Sequence, residues 1–179
     1  MNHRHFFVAL LPWMLAAAAS GADAQPNATP KPGMAKATRP APAPEAQGAS
    51  IDKAQSLPTV PLTIGSAKLV AEVASTPGQR EIGLMHRFSL ATDHGMVFVF
   101  PGSEPLGFWM RNTFIPLSIA YLDANGVILN IEDMAPQDDS THWSRGPAQY
   151  AIEMRKGWFA ERGIHAGDRV LGLPKPGRE

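Results

Sequence analysis

Apolar and polar positions alternate from residue 60 onward in short runs. Residues 60–64 and 68–73 flank Gly65-Ser66, a spacing that predicts two paired strands. Thr76-Pro77-Gly78-Gln79 breaks the alternation. Thr at the cap, Pro in the first position and Gln at the third form a capping box, so a helix is expected from Thr76 to about Arg87 or Phe88. On a wheel of about 100° per residue, Arg80, Gly83, Leu84 and Arg87 share one side and Ile82 and Met85 the other. Residues 96–100 form the most apolar strand, 101–105 a turn, and 106–111 a further strand broken at Asn112-Thr113. Leu117, Ile119 and Tyr121 alternate with Ser118 and Ala120 as in a half-buried strand. Asp123-Ala-Asn-Gly126 is a hairpin turn into a return strand over 127–134. The polar stretch 135–147 has the length of a lid or binding loop. A strand at 150–154, a short helix over 156–162 stopped by Gly163, and a closing strand at 169–173 complete the pattern. The expected fold class is α+β, mainly β: a small barrel or strongly curved antiparallel sheet with two short helices.

Two segments stand outside this pattern. Residues 1–24 carry a basic start at Arg4, an apolar run from Phe6 to Ala19 and Ala22-Asp23-Ala24, which together predict a signal peptide cleaved before Gln25. The run is shorter than the ~20 residues that span a bilayer, and Pro12 interrupts it, so no membrane span is expected after cleavage. A periplasmic or secreted location follows. Residues 25–56 are rich in Ala and Pro, lack aromatics and read as a disordered tether. The globular domain is therefore placed at 57–173, with a frayed end over 174–179.

Composition removes several chemistries. Lys plus Arg and Asp plus Glu are balanced at 16 each, which gives no reason to expect nucleic acid as a partner. No cysteine is present, so there is no disulfide, thiol nucleophile or Cys-based zinc site. His86, His94, His142 and His165 show no metal-ligand spacing, and neither metal nor cofactor is expected. Ser140, His142 and Ser144 lie near Asp138 and Asp139 without a nucleophile turn, and read as an ordinary loop. Trp109, Arg111, Asn112 and Thr113 are more suggestive: a wide ring, a forked cation and two short hydrogen-bonding groups suit a polar, carboxylate-bearing or sugar-like ligand. The same types also serve structure, with Trp109 in the core and Asn112 and Thr113 satisfying backbone.

Arg80, Gly83-Leu-Met85, Arg87, Gly95-Met96, Phe98, Phe100, Phe108-Trp-Met110, Asn112-Thr113, Ile115-Pro-Leu117, Ile152-Glu153, Gly157, Gly163-Ile164 and Gly167-Asp168 occur in an order that resembles the domain of unknown function 192 family. The resemblance covers about residues 57–173 and implies a compact, mainly β, often exported domain with no named activity. Where that family usually has Asp after the Pro-Leu pair, this chain has Ser118. Arg80, Arg87, Trp109, Asn112 and Thr113 match and form the expected ligand site, with the corner at 109–113 facing the helix that bears Arg87. The leading functional expectation is a non-catalytic envelope module that binds a small polar ligand, a glycan or a peptide. The alternatives are a hydrolase using activated water, with Glu132 or Glu153 as base, and an assembly partner of another exported protein.

Overall fold

The alternating runs assemble into one curled, seven-stranded sheet. The structure, a computed structural model, describes residues 53–177. All described residues belong to a single compact unit. The expected signal peptide and tether, up to residue 52, lie outside the described residues.

The strands are β1 (Thr59–Ile64), β2 (Ala67–Ala74), β3 (His94–Phe108), β4 (Leu117–Leu122), β5 (Ile128–Met134), β6 (His142–Arg155) and β7 (Val170–Leu171), with helix α1 (Pro77–Ile82) between β2 and β3. Their spatial order is β5-β4-β6-β3-β2-β1-β7. The sheet curls until its edges meet: Val127 bridges Arg169, and Val170 N–H donates to the Gly126 carbonyl at 2.9 Å. The mainly β fold class holds, with one correction. Strands β2 and β3 run parallel, because α1 and the segment after it form a crossover that a hairpin turn does not allow; the sheet is mixed rather than antiparallel.

Several elements differ from their sequence expectation. The capping box forms, with Gln79 N–H donating to Thr76 Oγ1 and the Gln79 side chain accepting from Thr76 N–H. Yet α1 ends at Ile82 instead of Arg87. Ile82, Gly83, Leu84 and Met85 are all buried, and four consecutive residues cannot share one face of a helix. Gly83 turns the chain with φ +49°, and a Cβ there would lie 3.3 Å from the Phe98 ring. The expected turn at 101–105 is a register shift within one long β3, since a bulge absorbs the Pro-Gly residues while β6 continues alongside. That strand stops at Phe108 rather than Arg111, because Met110 N–H leaves the ladder for the Asp138 carbonyl, 2.7 Å away. The expected loop 135–147 is half strand, as β6 starts at His142. The second helix shrinks to a 3₁₀ turn, Ala160–Arg162, closed by Gly163.

The central strands are apolar on both faces. Val97, Val99, Ala120, Leu122, Ile152 and Met154 point into the interior of the curl with Trp158 and Phe159. Met96, Phe98, Ile119, Tyr121 and Ala151 point to a second core, covered by Leu84 and Met110. Strand β4 is consequently buried at all six positions rather than half-buried. Strands β3 and β6 pair closely where Gly95 lies opposite Met154. A Cβ on Gly95 would come within 2.3 Å of the Glu153 carbonyl oxygen and of Met154 Sδ.

That contact leaves no room for a methyl group. Gly95→Ala is expected to lower the stability of the domain by about 2–3 kcal/mol, measured as a drop in the urea midpoint at unchanged slope. Gly78→Ala, at a helix position with open space around it, is the control and should be neutral or mildly stabilising.

Candidate functional site

A cleft of about 320 Å³ opens over the second core. One wall is the run from Arg80 to Met85, at the end of α1 and the turn after it. The other is the end of β3 and the corner after it, with Gly107, Phe108, Trp109 and Thr113, and the sheet contributes Phe98, Phe100 and Glu153. The walls are mainly apolar and aromatic. Phe108 anchors them, meeting Phe98 edge-on at 4.9 Å, Phe100 at 6.4 Å and Tyr121 at 5.8 Å between centroids.

Glu153 is the exceptional residue. Strand alternation turns Ile152 and Met154 into the first core and therefore turns Glu153 into the second. It is only 4% exposed. Among the described residues its carboxyl has no hydrogen-bond partner. Burial disfavours its charged form and pushes its pKa up from 4.5 to about 8. Behind it lies Tyr121, whose hydroxyl donates to the His142 carbonyl at 2.8 Å. Burial first, then the carboxylates of Glu153 and Glu132, raise the tyrosine pKa far above its usual range.

The expected site residues fall into two groups. Arg80, Trp109 and Thr113 line the cleft. The Arg80 guanidinium donates to the carbonyls of Ser75 and Val99 at 2.6 and 3.0 Å and lies 4.8 Å from the centre of the Phe100 ring. Trp109 is not a core residue but a rim residue, 48% exposed, with Arg111 stacked 5.3 Å from it and paired to Asp139. Thr113 is buried, and its hydroxyl donates weakly to the Arg111 carbonyl at 3.4 Å.

Arg87 and Asn112 do not line this cleft. Arg87 grips both oxygens of Glu72 at 2.7 and 2.9 Å and donates to the Gln55 carbonyl at 2.7 Å. Glu72 in turn accepts from Leu57 N–H at 2.8 Å. This fork-on-fork pair fastens the chain leading into β1 against β2. Asn112 adopts φ +55°, a conformation that Asn tolerates better than most residues. Its carbonyl accepts from His86 N–H at 2.8 Å, so the corner and the segment carrying Arg87 do meet, but through backbone.

Other polar candidates are held in structure. Ser144 Oγ accepts from Leu106 N–H at 2.9 Å and donates to the Gly146 carbonyl at 2.7 Å. Ser118 is buried, donates to Asp133 and accepts from Gly157 N–H at 2.9 Å. His142 sits between Glu132 and Asp138, 3.5 Å from each. Among the described residues no three His, Asp or Glu side chains gather as metal ligands would. In the sequence Glu153 stands in the family-like order and as a possible base of the hydrolase alternative, but not among the expected ligand-site residues; it is an acid within the apolar run 150–154. Its phase in that run marks it as inward-facing once the strand is known to be covered on both sides.

The fold and cleft define a mainly β domain with a curled mixed sheet and an aromatic-walled cleft containing a buried acid. The model of the DUF192 family, described as an uncharacterized ACR, matches residues 60–172, and the chain belongs to that family. Among solved structures it is similar to a protein from Sinorhizobium meliloti 1021 provisionally described as a transcription regulator, at 33% identity and a TM-score of 0.64, over 67% of this chain and 98% of that one. It is likewise similar to a protein of unknown function from Novosphingobium aromaticivorans DSM 12444, at 32% identity and a TM-score of 0.61, over 75% of this chain and 93% of that one. No curated protein matches.

The Glu153 environment has a pH signature. Between its ordinary value of 4.5 and about 8 the folded chain holds one more proton than the unfolded chain, so stability falls as pH rises through that window. The slope approaches ~1.4 kcal/mol per pH unit at its steepest. Glu153→Gln should flatten it and melt higher than wild type at pH 9, as measured by thermal unfolding across pH 4–9.

Proposed function

We propose that this protein is an exported, non-catalytic binding module that takes a small ligand into the cleft over Glu153. The observation that carries this reading is a buried carboxyl without a partner on the floor of an aromatic-walled cleft. Burial makes the charged form of such a group costly, and a ligand's polar group in the cleft offsets that cost. The volume lies at the low end for small-molecule sites, which favours a compact ligand, a single sugar unit or one side chain of a peptide over an extended polymer. Trp109 at the rim supplies a stacking surface, and Thr113 and the Arg80 end of α1 supply polar edges. Export is inferred from the N-terminal pattern of residues 1–24.

The hydrolase alternative is weaker. At neutral pH the raised Glu153 is protonated and is therefore a poor general base. Nucleic-acid binding, which the description of the Sinorhizobium meliloti protein would bring in, is disfavoured by this chain's charges. Basic groups equal acidic ones, and Arg87, Arg111, Arg155 and Arg162 are each paired with a carboxylate.

Thermal-shift measurement against a panel of monosaccharides, dipeptides, amines and small acids tests the binding reading. At least one class should raise the melting temperature. Trp109→Ala should weaken that ligand about tenfold with little effect on the unliganded melting temperature. Arg87→Ala should behave in the opposite way, lowering stability by about 3 kcal/mol because it strands Glu72. A panel with no stabilising member, or a stabilising ligand that Trp109→Ala binds as tightly as wild type, would count against the proposal.

A further inference from the structure

We infer that the cleft recognises a small organic cation, a primary or methylated ammonium group carried on an apolar body. The inference rests on the binding reading above and adds the charge class of the ligand. Three observations carry it. Four aromatic rings, those of Phe98, Phe100, Phe108 and Trp109, line the cleft, and ring faces attract cations more strongly as water is excluded. Two of them already hold a guanidinium in the structure, Arg80 at 4.8 Å from Phe100 and Arg111 at 5.3 Å from Trp109. The polar group at the bottom is an acid, 4% exposed and unpartnered among the described residues.

The charge balance points the same way. The ionisable residues lining the cleft are Arg80 and Glu81 from α1 and Glu153 from β6, one base against two acids, of which Glu153 is neutral until a cation arrives. Arg80 is committed to the Ser75 and Val99 carbonyls. From β4 the group facing Glu153 is Tyr121, neutral at ordinary pH, and beyond it Glu132 of β5 adds further negative charge. With Glu153 protonated, an anionic ligand gains no ion pair there and faces Glu81, while Arg80 is already engaged by carbonyls. A neutral ligand would gain one hydrogen bond. A cation converts the buried acid into an ion pair whose other surfaces are aromatic.

Binding then exchanges one proton. The protonated Glu153 carboxyl loses H⁺ to solvent, and the carboxylate left behind pairs with the ammonium; no covalent bond of the ligand forms or breaks. Because burial holds Glu153 protonated up to about pH 8, release should approach one proton per ligand at pH 7, and affinity should rise nearly tenfold from pH 6 to pH 7.

The test is isothermal titration of the full chain with 2-phenylethylammonium, its neutral isostere 2-phenylethanol and the anion 3-phenylpropanoate. Titrations are run at pH 6 and 7 in buffers of different ionisation enthalpy. The expected result is that wild type prefers the ammonium at least tenfold and releases close to one proton. Glu153→Gln should lose at least tenfold in ammonium affinity while binding 2-phenylethanol within twofold of wild type. Proton release is read on wild type, so the test does not depend on the variant folding. Tighter binding of the alcohol or the acid would overturn the cation inference and leave the binding reading standing. Absence of binding by all three probes would overturn the cation inference, and the wider panel above then decides the binding reading separately. Ammonium binding without proton release, or equally tight in Glu153→Gln, would remove Glu153 from the site.

Discussion

Strands β3, β4 and β6 are covered on both faces, and that constraint organises the rest of the molecule. In a sheet with one wet face, every second side chain is free to be polar. Here Met96–Val99 and Tyr150–Met154 are buried without interruption, so each position must be apolar or must be compensated. Most comply. Ser118 is compensated by Asp133 and Gly157. Glu153 is not, and its carboxyl is what turns the gap beneath Leu84 and Trp109 from a packing defect into a candidate site. The same close pairing explains why Gly95 must lack a side chain, since the Glu153 backbone occupies the space a methyl group would need.

The cover over the second core is made from loops rather than from a long helix, and its geometry is set by backbone bonds and one ion pair. His86 N–H to the Asn112 carbonyl, Met110 N–H to Asp138 and Gln137 N–H to Thr113 tie the two walls and the 135–141 loop together. Arg87 and Glu72 lock the approach to β1 behind them. Half-buried pairs of this kind contribute more through what happens when one partner is lost than through net stabilisation. The arrangement separates roles. Arg87 and Asn112 hold the cover in place, whereas Trp109, Thr113 and Arg80 present surface to the opening. Loops carrying binding surface on a rigid sheet are a common division of labour.

Much of the fold was legible in the chain. The β1–β2 hairpin, the β4–β5 hairpin around Asp123–Gly126, the capping box at Thr76 and the stop at Gly163 are local signals, and each acts within a few residues through backbone geometry or a single hydrogen bond. The family-like order of residues placed the 80–87 and 108–113 segments together in importance. The same order put Arg87 and Asn112 beside Trp109 in an expected ligand site, because sequence proximity does not distinguish a residue that holds a wall from one that faces the opening.

What the chain by itself determined is therefore the position of most strands, the hairpin turns at Gly65-Ser66 and Asp123–Gly126, and the aromatic character of the segment from Met96 to Trp109. Tertiary structure alone decided the length of α1, the parallel step from β2 to β3, the continuity of β3 and β6 through residues that look like turns, and the burial of Glu153. The physical reason is common to all four. Periodicity records which side of an element a residue occupies, but not what covers that side; an acid on a strand is solvated or stranded according to the partner that folds over it, and that partner lies some seventy residues away.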